Sequence, residues 1–173
     1  RASIAAMDAI LAVDPGARFV HCDPVINVIA DPARPWERRT AEGHRQSQFQ
    51  GWDLLAGRIW PQIGGSERHL DIIGVNYYHN NQWIHGGPPI DVGHPLYKPF
   101  RTILMETYGR YGKPIFVAET GIEGGRRPDW FTYISDEIAA AMQAGVPVEG
   151  ICLYPIVNHL GWDDERPCEN GLL

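Results

Sequence analysis

Glu119 is the residue whose setting most invites chemistry. It follows the apolar run Ile115-Phe116-Val117-Ala118 and precedes Thr120-Gly121, so a carboxylate leaves what reads as a buried strand. A carboxylate at such a place must be paired or put to use, because an unpaired buried charge is costly. Upstream, Asn76 and Tyr78 close the apolar run that begins at Leu70. They stand two apart, so in an extended chain they face one way and Tyr77 the other. The pair is placed to address one ligand or one carboxylate. The pattern repeats at His21 and Asp23, which end the run from Ala17, and at Tyr154, Asn158 and His159, which close the run from Glu149. Parallel α/β folds build their sites at this edge, the C-terminal ends of the strands. A loop cap accounts equally for any one of these residues, but not easily for four strands in a row.

Other chemistries find less support. His79, His85 and His94 lie in one loop, at spacings of six and nine that fit no common ligand motif, and read as solvated histidines with no metal. Asp163-Asp164-Glu165 reads as a solvated turn. There is no Ser-His-Asp grouping and no GxSxG, and no GxGxxG or GxxxxGKS follows a strand, so no cofactor is implied. Cys22, Cys152 and Cys168 are widely spaced without a CxxC, which argues against a disulfide framework or a cysteine zinc site. Cys22 and Cys152 read as small buried hydrophobes, in keeping with a reducing, cytoplasmic compartment. Trp83 and Trp130 either flank a site or pack.

The elements that must position these residues alternate. Helix is expected over 2–13, stopped by Asp14-Pro15-Gly16, then over 43–60, 96–110 and 128–144, the last with Pro128 at its start and Gly145 at its end. Strands are expected over 17–22, 70–77, 115–118 and 149–155. The stretch 79–95 reads as loop and 156–173 has little periodicity. The order α-β-α-β-α-β-α-β calls for parallel strands joined by crossover helices. That leaves a doubly wound sheet or half of a (β/α)8 barrel. A whole barrel takes about 250 residues, so four strands in 173 residues amount to half of one. Composition agrees with a globular α/β domain: 44% hydrophobic and 21% charged residues. A net charge of −6 argues against a general nucleic-acid or membrane-surface binder. No apolar run approaches the roughly 18–20 residues of a membrane span, and Arg1-Ala2-Ser3 opens no signal peptide. The absence of an initiator Met suggests a processed chain or a fragment.

Two motifs carry a resemblance. Leu70-Asp71-Ile72-Ile73-Gly74-Val75-Asn76-Tyr77-Tyr78 resembles the sixth-strand motif of family 1 β-glycosidases, and Lys113-Pro114-Ile115-Phe116-Val117-Ala118-Glu119-Thr120-Gly121 resembles their seventh-strand motif. In the family that motif usually ends Glu-Asn-Gly and the Glu is the nucleophile. Helix 128–144 and Gly145-Val146-Pro147-Val148-Glu149-Gly150 are similar to the helix and turn that lead into strand eight. The likeness covers about residues 65–162 and extends to the first 65 only by pattern. Two departures stand out. The family's strand-eight motif Trp-Ser-Leu-x-Asp-Asn-Phe-Glu-Trp is matched by Tyr154 to Trp162, which keeps the aromatic opening and the final Trp but has Gly161 where the sugar-binding Glu stands. The Asn-Glu-Pro motif that carries the acid/base is absent from the 173 residues.

The resemblance implies a single partial (β/α)8 barrel over 1–173, strands five to eight, from a retaining β-glucosidase- or β-galactosidase-like hydrolase of a carbohydrate substrate. Glu119 would be the nucleophile and Tyr78 its hydrogen-bond donor. Asn76 would contact the sugar or the carboxylates, and Tyr154 and Trp162 would form a stacking floor, with His21 and Asp23 as further binding candidates. The acid/base would come from a missing N-terminal half-barrel, since retaining hydrolysis needs a second carboxyl about 5–5.5 Å from the first. Asp163 or Asp164 would be the substitutes for the carboxylate absent at Gly161. Two other readings stay open: a non-catalytic sugar-binding barrel remnant, and a different barrel enzyme using Glu119 as a base.

Overall fold

In the computed structural model, which describes residues 1–173, the elements run α1 (Ala2–Val13), β1 (Val20–Pro24), β2 (Asn27–Ile29), α2 (Arg38–Ser47), α3 (Gln50–Leu55), β3 (Ile72–Asn76), β4 (Gln82–Ile84), α4 (Phe100–Tyr111), β5 (Ile115–Thr120), α5 (Arg127–Gln143), β6 (Val148–Leu153), β7 (His159–Leu160) and β8 (Pro167–Cys168). The main sheet has the order β1-β3-β5-β6 with every pair parallel. Each strand lies beside the next main strand in the chain, with no reversal of order. A doubly wound sheet reverses its order at a switch point, whereas a (β/α)8 barrel adds strands in sequence, so the sheet is a piece of a barrel.

Two faces follow from the period-2 alternation of the strands. Ile73, Val75, Ile115 and Val117 are fully buried and point at the helices, where they join Trp52, Leu104 and Ile134 in one core. Burying each such side chain contributes about 1.5–3 kcal/mol. The opposite, concave face carries Val20, Cys22, Phe116 and Cys152. Small residues make room for large ones there: a Cβ on Gly74 would stand 2.7 Å from Cys22 Sγ, and one on Gly150 would stand 2.7 Å from the Phe116 ring. Cys22 and Cys152 are exposed rather than buried, because they lie on this uncovered face. Arg18, before β1, reaches across to Glu149 of β6 at 2.9 Å, linking the two edge strands of the curled sheet.

The expected helix over 43–60 is two helices starting earlier. They part at Gln48, whose side-chain amide accepts from Ile26 N–H at 2.8 Å and donates to Ile26 C=O at 3.2 Å, as a strand neighbour would. The helix expected from residue 96 begins only after Pro99, since proline disfavours helix in the residue before it. Two features had no periodic signal: a short parallel pair, β2 with β4, in the loops that follow β1 and β3, and the antiparallel β7–β8 hairpin in the tail.

Candidate active site

Asn76 ends β3 and stands opposite Glu119 of β5. The register between these strands slips by one residue: Val75 faces Val117, but Asn76 faces Glu119, leaving Ala118 as an extra residue on β5. This bulge turns Glu119 off the helix-facing side to which Val117 belongs and toward the concave side. Bulges beside sites commonly re-aim a side chain in this way. Thr120 then returns to the helix side, where it accepts a hydrogen bond from Trp130 Nε1 at 2.9 Å.

Tyr78 Oη donates to Glu119 Oε2 at 2.8 Å. Burial, followed by the carboxylate it serves, raises the pKa of the Tyr78 phenol above its ordinary value, so it keeps its proton and remains a donor. Tyr77 points the other way, stacked on Phe100 with ring centroids 4.1 Å apart and sharing a hydrogen bond with Tyr97 Oη at 2.8 Å. Asn81, on which sequence reasoning was silent, holds the loop. Its side chain accepts from Tyr78 N–H at 3.0 Å and donates to Val25 C=O at 2.9 Å. The Asn80-Asn81 dipeptide is the turn signal that could have found it. Asn76 Oδ1 is buried without a hydrogen-bond partner in the chain.

An open cleft of about 730 Å³ lies over these groups, with Glu119, Tyr78, His79, Tyr154, His159 and Trp162 on its walls. Trp162 is 87% exposed, a free aromatic face, and Tyr154 is 38% exposed. The β7–β8 hairpin that presents Trp162 is tied to the loop after β5 by a two-pronged pair, both Arg166 terminal nitrogens lying 2.8 Å from the Glu123 carboxylate oxygens. That guanidinium holds the Glu123 carboxyl below its usual range. Asp163-Asp164-Glu165 is exposed at the turn of this hairpin, as expected, and Asp163 and Asp164 also line the cleft. His79 is likewise in the wall. Burial first, and then Arg126, lowers its pKa and favours a neutral imidazole.

Glu119, Tyr78, Asn76, Tyr154 and Trp162 therefore gather at one end of the sheet. His21 and Asp23 do not join them, because they alternate onto the helix-facing side of β1. His21 Nε2 lies 3.2 Å from Met7 Sδ of α1, and Asp23 Oδ2 would be 2.6 Å from a Cβ at Gly51 of α3. Burial pushes the His21 pKa down and the Asp23 pKa up. Asn158 is structural, accepting from Gly171 N–H at 2.8 Å. Trp130 packs behind β5 and Trp83 sits beside His44. No group of three His, Cys, Asp or Glu side chains is arranged to hold a metal ion.

Solved structures share this arrangement of strands and helices. The chain is similar to the β-glucosidase of Thermotoga maritima in complex with deoxynojirimycin, with TM-score 0.76 and 12% identity, over 99% of this chain and 48% of that one. It is similar to the β-glycosidase of Thermosphaera aggregans, with TM-score 0.71 and 19% identity, over 99% of this chain and 41% of that one. The chain has part of a β-glycosidase fold. The AHE enzyme of Alicyclobacillus herbarius matches that fold as well, with TM-score 0.77 and 16% identity over 98% of this chain and 49% of that one. This chain thus spans under half the length of each of these proteins. No family model and no curated protein matches it. No helix is long and apolar enough to cross a membrane.

Proposed function

We propose that the chain is the C-terminal half-barrel, strands five to eight, of a retaining β-glucosidase- or β-galactosidase-like hydrolase related to family 1. The observation that carries this is the 2.8 Å bond from Tyr78 to Glu119 at the mouth of a parallel barrel sheet, in a cleft with an exposed Trp162. Glu119 attacks the anomeric carbon and forms a glycosyl-enzyme intermediate, which water then hydrolyses. Tyr78 holds the carboxylate in orientation and stabilises its charge. Asn76 contacts the sugar, and Trp162 and Tyr154 stack against its apolar face. The acid/base comes from an N-terminal half-barrel outside these 173 residues, which covers the concave face and pairs with the free edges of β1 and β6. Support for that partner lies in the exposed Cys22 and Cys152 on the concave face and in the half-length match to barrel enzymes. Three unpaired thiols favour a reducing, cytoplasmic compartment.

The test is mechanism-based trapping. A 2-deoxy-2-fluoro β-glucoside incubated with the longer protein is expected to add one sugar mass to the peptide containing Glu119. The purified 173-residue chain is expected to show negligible turnover of a nitrophenyl glycoside. Labelling at another carboxylate, or turnover by this chain alone, would sink the reading.

A further inference from the structure

We propose that Asp164 is the carboxylate with which this cleft reads substrate hydroxyls, and that Gly161 is the position that admits it; the inference rests on the glycosidase reading. The β7–β8 hairpin folds back on itself, with Gly161 N–H donating to Arg166 C=O at 2.7 Å. Inside that turn Asp164 Oδ1 accepts from Arg166 N–H at 3.1 Å. The carboxylate is thereby carried over Gly161, where a Cβ would stand only 2.1 Å from Asp164 Oδ1. Any side chain at 161 would expel it. Glycine is needed here for space, since position 161 is absent from the positive-φ set.

The second carboxylate oxygen stays available. Arg166 is the nearest cation, but its Nε is 3.8 Å from Asp164 Oδ2 and its two terminal nitrogens are committed to Glu123. Asp164 Oδ2 therefore retains lone pairs for donors entering the cleft. Asp163 also lines the cleft but makes no hydrogen bond that fixes it. An oriented carboxylate beside an exposed indole suits a pyranose: the ring's apolar face covers Trp162 while its hydroxyls donate to the carboxylate. Recognition of this kind rests on a few placed polar groups against an aromatic wall.

The experiment is calorimetric titration of the full 173-residue chain with p-nitrophenyl β-glucoside and with its monodeoxy analogues. Asp164→Asn keeps the shape, and Gly161→Ala expels the carboxylate without touching its charge. Each is expected to weaken binding of the parent glycoside about 10-fold, the loss of a charge-assisted hydrogen bond at a partly exposed site. Asp163→Asn is expected to change it less than about 2-fold. The wild-type chain should bind at least one monodeoxy analogue more weakly than the parent, and Asp164→Asn should lose that preference, which a merely structural role would not produce. If Gly161→Ala unfolds the hairpin, Asp164→Asn alone decides. Asp164→Asn binding all the glycosides as the wild type does, while Trp162→Ala loses them, would overturn the assignment and leave the glycosidase reading standing. No saturable binding by the wild-type chain would overturn the Asp164 assignment and leave the glycosidase reading, in which half of the site lies outside these residues, to its own trapping test.

Discussion

Replacing Tyr78 by Phe removes one oxygen from the site and changes little else. The lost bond is 2.8 Å long and runs from a half-buried phenol to a carboxylate. Hydrogen bonds to charged groups contribute about 1.5–3 kcal/mol, so Tyr78→Phe in the longer protein should lower kcat/KM by about 10- to 100-fold. The pH dependence has a definite sign. The Tyr78 pKa is raised above its ordinary value of 10.0, chiefly by burial and then by Glu119. Its donor proton is therefore present throughout the range below that value, and any basic limb of the rate profile belongs to another group. The limb should keep its position in Tyr78→Phe while the plateau falls. Tyr77→Phe is the matched comparison. Its hydroxyl belongs to a closed chain that accepts from Gln82 Nε2 at 2.8 Å and meets Tyr97, so the expected symptom is lost stability of about 1 kcal/mol with kcat/KM intact. The assay is nitrophenyl glucoside hydrolysis, with thermal denaturation as the folding control. A larger kcat/KM loss from Tyr77→Phe than from Tyr78→Phe, at equal folding, would refute the facing assignment on which the site rests.

Glu119→Gln in the longer protein should remove about 10⁴-fold of the rate, near 5.5 kcal/mol of barrier, and azide should restore turnover to Glu119→Ala with inversion at the anomeric carbon; a Gln variant above a tenth of wild-type activity excludes the nucleophile role. Gly150→Val drives a side chain into the Phe116 ring, 2.7 Å from the Cβ position, and should cost about 1–3 kcal/mol in denaturant unfolding. Glu42 is held at a pKa of about 2, from 4.5, by its bond to Arg45. A depressed carboxylate pKa adds stability above the unfolded value that is lost as pH falls through the folded one. Glu42→Gln should therefore be slightly less stable than the parent at pH 6, by about 1 kcal/mol or less because the carboxylate is half exposed, and the two melting curves should converge near pH 2.

Strand existence was legible because the runs at Ile72–Val75 and Ile115–Val117 are apolar enough to need burial, and α5 because Pro128 and Gly145 bracket its pattern. That Glu119, Asn76 and Tyr78 meet at one end of the sheet was legible too, since all three close their strand runs. Which face each residue takes was only half legible. Asn76 and Tyr78 had a direction relative to each other, but nothing local says that His21 and Asp23 turn toward Met7 and Gly51, because helices packed from elsewhere in the chain decide that. Cys22 and Cys152 misled for the same reason, as an apolar neighbourhood in sequence does not reveal a sheet face left uncovered. The hairpin wall was hidden because its anchor, Glu123 to Arg166, joins residues 43 apart.

The bulge at Ala118 was invisible in the same sense, yet the chemistry of the site turns on it. Val117 and Thr120 both face the helices, and three residues cannot separate two same-face positions in a regular strand. If Ala118 were taken up in regular alternation instead of as a bulge, Glu119 would follow Val117 into the helix layer, where a lone carboxylate costs several kcal/mol. Deleting Ala118 would regularise β5 and leave Glu119 opposite Asn76 on the concave side, the register pair it already makes. The Tyr78 bond is then kept while the fold survives. Tyr78→Phe should therefore lower kcat/KM by a similar factor in the parent and in the deletion background. A Tyr78→Phe effect that vanishes there would show that the extra residue, and not the pairing of Glu119 with Asn76, sets the position of the carboxylate.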